Sequence, residues 1–273
     1  MITLISDFGT SDPYVGIMKG VIFTKDPSAV IVDITHDIIP RDISSAAYVI
    51  SSAYSYFPVG SIHVVVVDPG VGSHRAIIAI SMGGHYFLAP DNGVLSLVLA
   101  SGKVDFITTV ENDSFFLKPV SQTFHGRDIF APVAGHLSKG LPIDQLGSEI
   151  KKDHLVCLDL PMPVQSPTGG IVGTVIGIDR FGNLITNIDH QFIQNTFGFV
   201  NDCDLNISIG GYQIAGLSSC YRDTEPQSLL AIVGSMGFIE ISVNGGSAAE
   251  FCRETRGSRI SVTFDLPVHD INI

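Results

Sequence analysis

The hydrophobic rhythm of the chain changes near residue 160. Before it, short apolar runs alternate with segments whose apolar positions recur at helical spacing. Residues 3–6, 29–34, 61–67 and 105–110 read as strands. Helices are expected from Asp12-Pro13 to about residue 25, over 43–56, over 93–100 and over 128–137. Asp12 followed by Pro13 is a good helix start, a capping acid and then proline at the first helical position. Val64, Val65, Val66 and Val67 form an apolar run without alternation, as in a parallel strand buried on both faces. Residues 76–81 and 85–88 read as a hairpin turning at Met82-Gly83-Gly84. This alternation predicts an α/β domain over residues 1–158, a largely parallel, Rossmann-like sheet covered by helices.

The proline-rich stretch from Leu160 to Pro167 marks a linker over 159–169. Beyond it the apolar runs are short and separated by turn residues: 170–178, 184–188, 205–209, 212–215, 229–233, 238–243 and 259–264. That texture predicts a small all-β barrel domain over residues 170–273.

Composition narrows the function. The chain is 45% hydrophobic and 15% charged, which describes a protein with a large core and not a disordered one. So little charge also hints at surface buried in an oligomer. A net charge of -12 argues against nucleic-acid binding, which needs a basic face, and suits a small cationic or zwitterionic ligand. Cys157, Cys203, Cys220 and Cys252 form no metal-binding pair and read as free thiols. The N-terminus reads as a first strand rather than a signal peptide, and no apolar run reaches membrane-spanning length. A cytoplasmic location is therefore expected.

Four constellations could carry chemistry, because ligands of open α/β sheets bind beyond the carboxyl ends of the strands. Asp7 ends the first strand and could accept ribose hydroxyls, or it could cap the helix that follows. Asp33, His36 and Asp37 end the second; hydrogen bonding within a loop is favoured there over metal ligation, since no second histidine sits at ligand spacing. Asp68 ends the third, and a Gly/Pro turn returns Arg75 seven residues later. With His125, at another helix start, this set could orient a water and take its proton, or it could be a salt bridge holding a turn. In the barrel region, Asp179 and Asn183 suit an amino-acid ammonium and carboxylate. The turns Gly234-Ser235-Met236-Gly237 and 244–249 offer backbone groups to a purine, although hairpin chemistry is the commoner use of such residues.

Taken together, SDFGTSDPYVGIMKG, VDITHDI, VVDPGVGSHR, LAPDNGVLS, TFHGRDIFAPVAGHL, IDRFGNLITNI and GSMGFIEISVNGGSAA resemble the S-adenosylmethionine hydrolase family. This family is also called SAM hydroxide adenosyltransferase and is related to fluorinase and chlorinase. The resemblance runs in register from Ile2 to Ala249. It implies cleavage of S-adenosylmethionine by water to adenosine and methionine, with no metal and no cofactor. It also implies a homotrimer, each site lying between the N-terminal domain of one subunit and the C-terminal domain of the next. By position, the ribose-binding aspartate is Asp7 and the water-activating set is Asp68, Arg75 and His125. The methionine site falls on Asp179 and Asn183 with Phe181 nearby, and the adenine site near Ser235, Met236 and Ala248. Halogenating relatives carry tyrosine where Asp68 stands and serine where Gly126 stands. Hydrolysis is therefore expected over halide transfer, and a non-catalytic adenosine or S-adenosylmethionine binder is the alternative from another class.

Overall fold

The computed structural model describes residues 1–167, 169–198 and 200–264. The chain forms two compact units, Met1–Asp159 and Leu160–Ile273. The expected barrel domain extends to residue 273, and residues 265–273 lie outside those described.

The first unit is built on a six-stranded sheet. Its strands are β1 (Ile2–Ser6), β2 (Ile31–Thr35), β3 (Ile62–Val66), β4 (Ile77–Met82), β5 (His85–Pro90) and β6 (Val104–Thr109), in the order β2-β1-β3-β5-β4-β6. Parallel pairing joins β2 to β1, β1 to β3 and β3 to β5, while β4 runs antiparallel to both its neighbours, so it alone is reversed. Every residue of β1 and β3 is buried, the polar Thr3, Ser6 and His63 among them.

Helices cover both faces. Ile2, Leu4, Val64 and Val66 pack with residues of α1 (Tyr14–Lys25) and α4 (Ala131–Ser138). Ile5, Val65 and Val67 face the other way, toward α2 (Ile43–Ala53) and α3 (Ser96–Ser101). Odd and even strand positions thus serve two separate cores, which is why the sequence shows no polar face. Helix α1 does not start as expected. Ile17 N donates to Pro13 O at 2.9 Å and Pro13 takes the capping position, which leaves Asp12 outside the helix with no capping bond. Helix α4 is preceded by a π-helical turn, Gly126–Phe130, which begins immediately after His125.

Among the described residues the strands of the second unit pair antiparallel, and one isolated parallel bridge joins Ser218 to Ile232. Strands β7 (Val164–Gln165), β8 (Ile171–Ile178), β9 (Leu184–Asp189), β10 (Leu205–Ile209), β11 (Tyr212–Ala215), β12 (Leu229–Val233), β13 (Phe238–Val243) and β14 (Arg259–Phe264) form one sheet. Its order is β11-β10-β14-β8-β9-β13-β12, with β7 pairing β8 off this path. β8 shares its length between β14 and β9, which curls the sheet. Beyond β11, Ser218 N donates to Ala231 O of β12 at 2.8 Å and nearly closes the barrel. β7 falls within the stretch expected to be a plain linker. Two short helices, α5 (His190–Phe197) and α6 (Ala248–Cys252), complete the unit, and the periodicity of the sequence did not announce either.

Candidate active site

The site in the first unit begins at the carboxyl end of β3. Asn92 Nδ2 donates to Val67 O at 2.9 Å and holds the strand end in place before Asp68. The turn that follows needs glycine at position 72. Gly72 has a φ of +77°, and a Cβ there would collide with the Gln122 carbonyl oxygen. The turn returns Arg75 onto Asp68. Arg75 Nε donates to both Asp68 carboxylate oxygens at 2.9 Å, and Nη2 donates to Oδ2 and also to His125 Nδ1 at 2.8 Å. The Asp68 and Arg75 side chains are only 5% and 11% exposed, so this ion pair is sheltered from the screening that weakens surface pairs.

A guanidinium can only donate. His125 Nδ1 is therefore an acceptor, and the neutral ring carries its proton on Nε2. Burial pushes the His125 pKa down, and the Arg75 charge pushes it further; Asp68 and Asp128 oppose this. The ring is neutral at pH 7. Asp128, fully buried, holds the turn beneath it. It accepts from Arg127 Nε at 2.6 Å, Arg127 Nη2 at 2.9 Å and Ser121 N at 2.8 Å.

Asp7, Asp68 and His125 line one small cavity of about 50 Å³, together with Phe8, Val66, Val71, Thr123, Phe124 and Gly126. The structure thus gathers residues read as separate motifs. Asp7 Oδ2 accepts from Arg41 N at 2.7 Å, which leaves Oδ1 with no bond among the described residues. Phe8, Tyr14 and Phe124 form a mutual aromatic cluster with centroids 5.1–6.0 Å apart. Sequence reasoning missed this wall, although Phe8 and Phe124 flank two of its motifs. A Cβ at Gly126 would meet Met18 Sδ at 3.1 Å, Phe124 at 3.2 Å and Phe8 at 3.4 Å, so the cavity is tight at that point.

The second-strand motif supports this site without lining it. His36 is buried, and its Nδ1 bonds Ser6 Oγ at 2.7 Å. His36 Nε2 lies 3.0 Å from Asp33 Oδ1 but off the line of a hydrogen bond, and Lys19 Nζ donates to Asp33. Gly9 N donates to His36 O at 2.8 Å, so these groups tie down the loop that carries Asp7.

Asp179, Phe181 and Asn183 of the second unit cluster around a turn. Asp179 Oδ1 accepts from Phe181 N at 2.9 Å and Asn183 N at 2.8 Å, and Oδ2 accepts from Asn183 Nδ2 at 2.8 Å. Gly182, at φ +83°, lets this turn pass against Ser247, whose Oγ a Cβ would strike. Phe181 and Asn183 line an open cavity of about 480 Å³ with Tyr221, Val243, Gly245 and Gly246. Phe181 is 77% exposed and forms part of the rim of this cavity. Ser235 and Met236 occupy the β12–β13 turn, which the register sets beside the Asp189 end of β9, away from the Asp179–Asn183 turn at its other end. Ala248 is fully buried, backbone included, as the first residue of α6. Tyr221 escaped sequence reasoning because nothing near it in the chain marks it.

The molecule is therefore an α/β unit with a sheltered Asp–Arg–His set at a strand end, followed by a β-barrel unit with an open, aromatic-rimmed cavity. Models of the SAM hydroxide adenosyltransferase N-terminal and C-terminal domains match residues 2–147 and 173–261. The chain belongs to that family. It is 34% identical over 263 residues to an (R)-S-adenosyl-L-methionine hydrolase of Salinispora arenicola, covering 96% of this chain and 97% of that one. A fluorinase of an Actinoplanes species is more distant, 27% identical over 71% of this chain and 73% of its own length. A crystal structure of an uncharacterized conserved protein from Thermotoga maritima superposes with a TM-score of 0.89 at 36% identity, covering 96% of this chain and 99% of that one.

Proposed function

We propose that this enzyme hydrolyses S-adenosyl-L-methionine to adenosine and L-methionine, by in-line attack of a water on the ribose 5′ carbon. The observation that carries this reading is the union of Asp7, Asp68 and His125 around one small cavity, with Arg75 clamped between the last two. The new bond joins the water oxygen to the 5′ carbon. The carbon–sulfur bond breaks, its electron pair goes to sulfur, and methionine leaves as a neutral thioether, so no general acid is needed. The cavity supplies confinement and orientation, which is most of what such a displacement requires. The Asp68 carboxylate can accept a hydrogen bond from the water and takes its proton as the new bond forms, passing it to solvent once the products leave. Because Arg75 already occupies His125 Nδ1, histidine serves here as a neutral donor through Nε2–H before it serves as a base.

Halide transfer fits less well. Asp68 places a negative charge where a halide would sit, and the contacts around Gly126 leave no room for a serine there without a shift. S-adenosylmethionine is the substrate, and no cofactor or metal enters this mechanism. In this reading the enzyme is a cytoplasmic homotrimer with no nucleic-acid or membrane partner, in which the Asp7–Asp68 half-site of one subunit is completed by the Asp179–Asn183 half-site of the next. Asp7 takes the ribose, Asp179 and Asn183 the methionine moiety beside Phe181, and the Ser235, Met236 and Ala248 region the adenine. Among the described residues no helix is long and apolar enough to cross a membrane.

The test is incubation with S-adenosylmethionine and quantification of both products. Adenosine and methionine are expected in equal amounts, and Asp68→Ala or His125→Ala should lower kcat at least 100-fold, the usual scale for losing a group that orients or activates the nucleophile. Tight binding without turnover would leave a binding protein. A 5′-halo-adenosine formed with chloride or fluoride would make it a halogenase.

A further inference from the structure

A second cavity lies behind the site. It has a volume of about 220 Å³ and is lined by Ser73, Arg75, Ala76, Thr109, Glu111 and His125, with Ile77, Val110 and Ile129 as its apolar floor. Two segments separate it from the smaller substrate-side cavity, and their residues divide between the two. Asp68, Val71 and Gly126 line the small one; Ser73, Arg75 and Ile129 line the large one; His125 lines both. The Asp68–Arg75 ion pair therefore spans the partition, with its acid on one side and its base on the other. Together with His125 it is the polar part of a wall whose other members are largely apolar.

Bound substrate must close the small cavity if the displacement is to exclude bulk water. Each turnover also consumes one water, and the small cavity holds only one or two. A supply route that avoids the substrate lets the next water enter before the products leave, and the large cavity has the chemistry for it. Nothing among the described residues accepts from Arg75 Nη1, which leaves that nitrogen free to hold water. Ser73 Oγ donates to Gly70 O at 2.6 Å and accepts from Arg75 N at 3.3 Å, which leaves it one lone pair for another partner. An anionic ligand is disfavoured there, because Asp68 already neutralises Arg75 and Glu111 stands exposed at the cavity.

We propose that the large cavity is a water antechamber, which stores solvent behind the Asp68–Arg75–His125 wall and refills the substrate-side cavity through it. This proposal rests on the hydrolytic reading. A volume series at Ala76 tests it. Ala76→Ser should match the wild type, while Ala76→Val, Ala76→Leu and Ala76→Phe should lower kcat stepwise, by about tenfold or more at Phe. The Kd for S-adenosylmethionine, measured by calorimetry, should stay within about twofold, and the ¹⁵N shifts of His125 should not move. Glu111→Trp, a change at an exposed position, should lower kcat in the same way at little risk to folding. The proposal is overturned if Ala76→Phe and Glu111→Trp turn over at the wild-type rate. It is equally overturned if kcat falls only in step with substrate affinity or with displaced His125 shifts. Should Ala76→Phe not fold, Glu111→Trp decides alone. A wild-type enzyme that releases no adenosine and methionine would instead refute the hydrolytic reading.

Discussion

Arg75 does two jobs with one guanidinium. It neutralises Asp68 through paired hydrogen bonds and it occupies a ring nitrogen of His125. The second contact sets the histidine tautomer, which in turn sets what His125 can offer the nucleophile. The charges around the ring act in opposite directions, so they can be tested separately by following the His125 ¹⁵N resonances with pH. The wild type should show the Nε2–H form and titrate below the usual histidine value, since burial and Arg75 both disfavour the cation. Removing the carboxylate charge in Asp68→Asn should push the titration lower still. Arg75→Gln removes a repelling cation and should move it up, while burial, the larger cause, should keep it below the ordinary histidine value. A wild-type ring protonated on Nδ1 would contradict the geometry.

At the scale of elements, the apolar runs were a good guide wherever burial dictates sequence. β1 and β3 are buried on both faces and were legible for that reason, as were the barrel strands with their turn residues. The reading failed where a local bond decides. Asp12 looks like a cap, yet the first helical bond starts from Pro13. Helix α5 is short and poor in strong helix formers, and it is held by Asp189, which accepts from Phe192 N at 2.6 Å. The strand-end residues Asp7, Asp68, Arg75 and His125 were visible as motifs, but Phe124 and Tyr221 became site residues only through folding. β3 also hides a polar element inside its apolar pattern. His63 is fully buried, bonds Thr3 Oγ1 at 2.8 Å and His85 Nδ1 at 3.1 Å, and stacks on Phe87. Burial first, then His85 and the N-terminal charge, push its pKa down to about 3. The unfolded chain, with an ordinary histidine near 6.5, therefore binds the proton first as pH falls. Stability is complete above that value and declines below it toward about 3, with a slope approaching ~1.4 kcal/mol per pH unit. Urea unfolding of the wild type at pH 6.5 and pH 5 should differ by roughly 2 kcal/mol on this account. His63→Gln should lose most of that difference while being less stable at pH 7; an unchanged slope would show that His63 is not its source.

At the scale of the whole molecule, the proposed trimer makes a claim about which subunits supply each site. The first unit holds the Asp68–Arg75–His125 set, while the second holds the Asp179–Asn183 turn and the exposed ring of Phe181. Under the trimeric reading these halves meet across subunits, and that arrangement makes a quantitative claim about mixtures. Asp68→Ala damages only the first half-site, and an Asp179→Ala, Asn183→Ala double variant damages only the second. Each is inactive alone. When the two are mixed in equal amounts and allowed to exchange subunits, a site is intact whenever an undamaged first half-site faces an undamaged second one. Random assembly yields that pairing at about a quarter of all sites, so activity should return to roughly 25% of the wild type. If each site is contained within a single subunit, every site carries one lesion whatever the mixture and no activity returns. Sedimentation of the same samples should find the trimer before and after exchange. Recovery without a trimer would point to a different symmetric assembly with the same cross-subunit site, and a trimer without recovery, once exchange is shown by mass-tagged subunits, would place both halves in one chain.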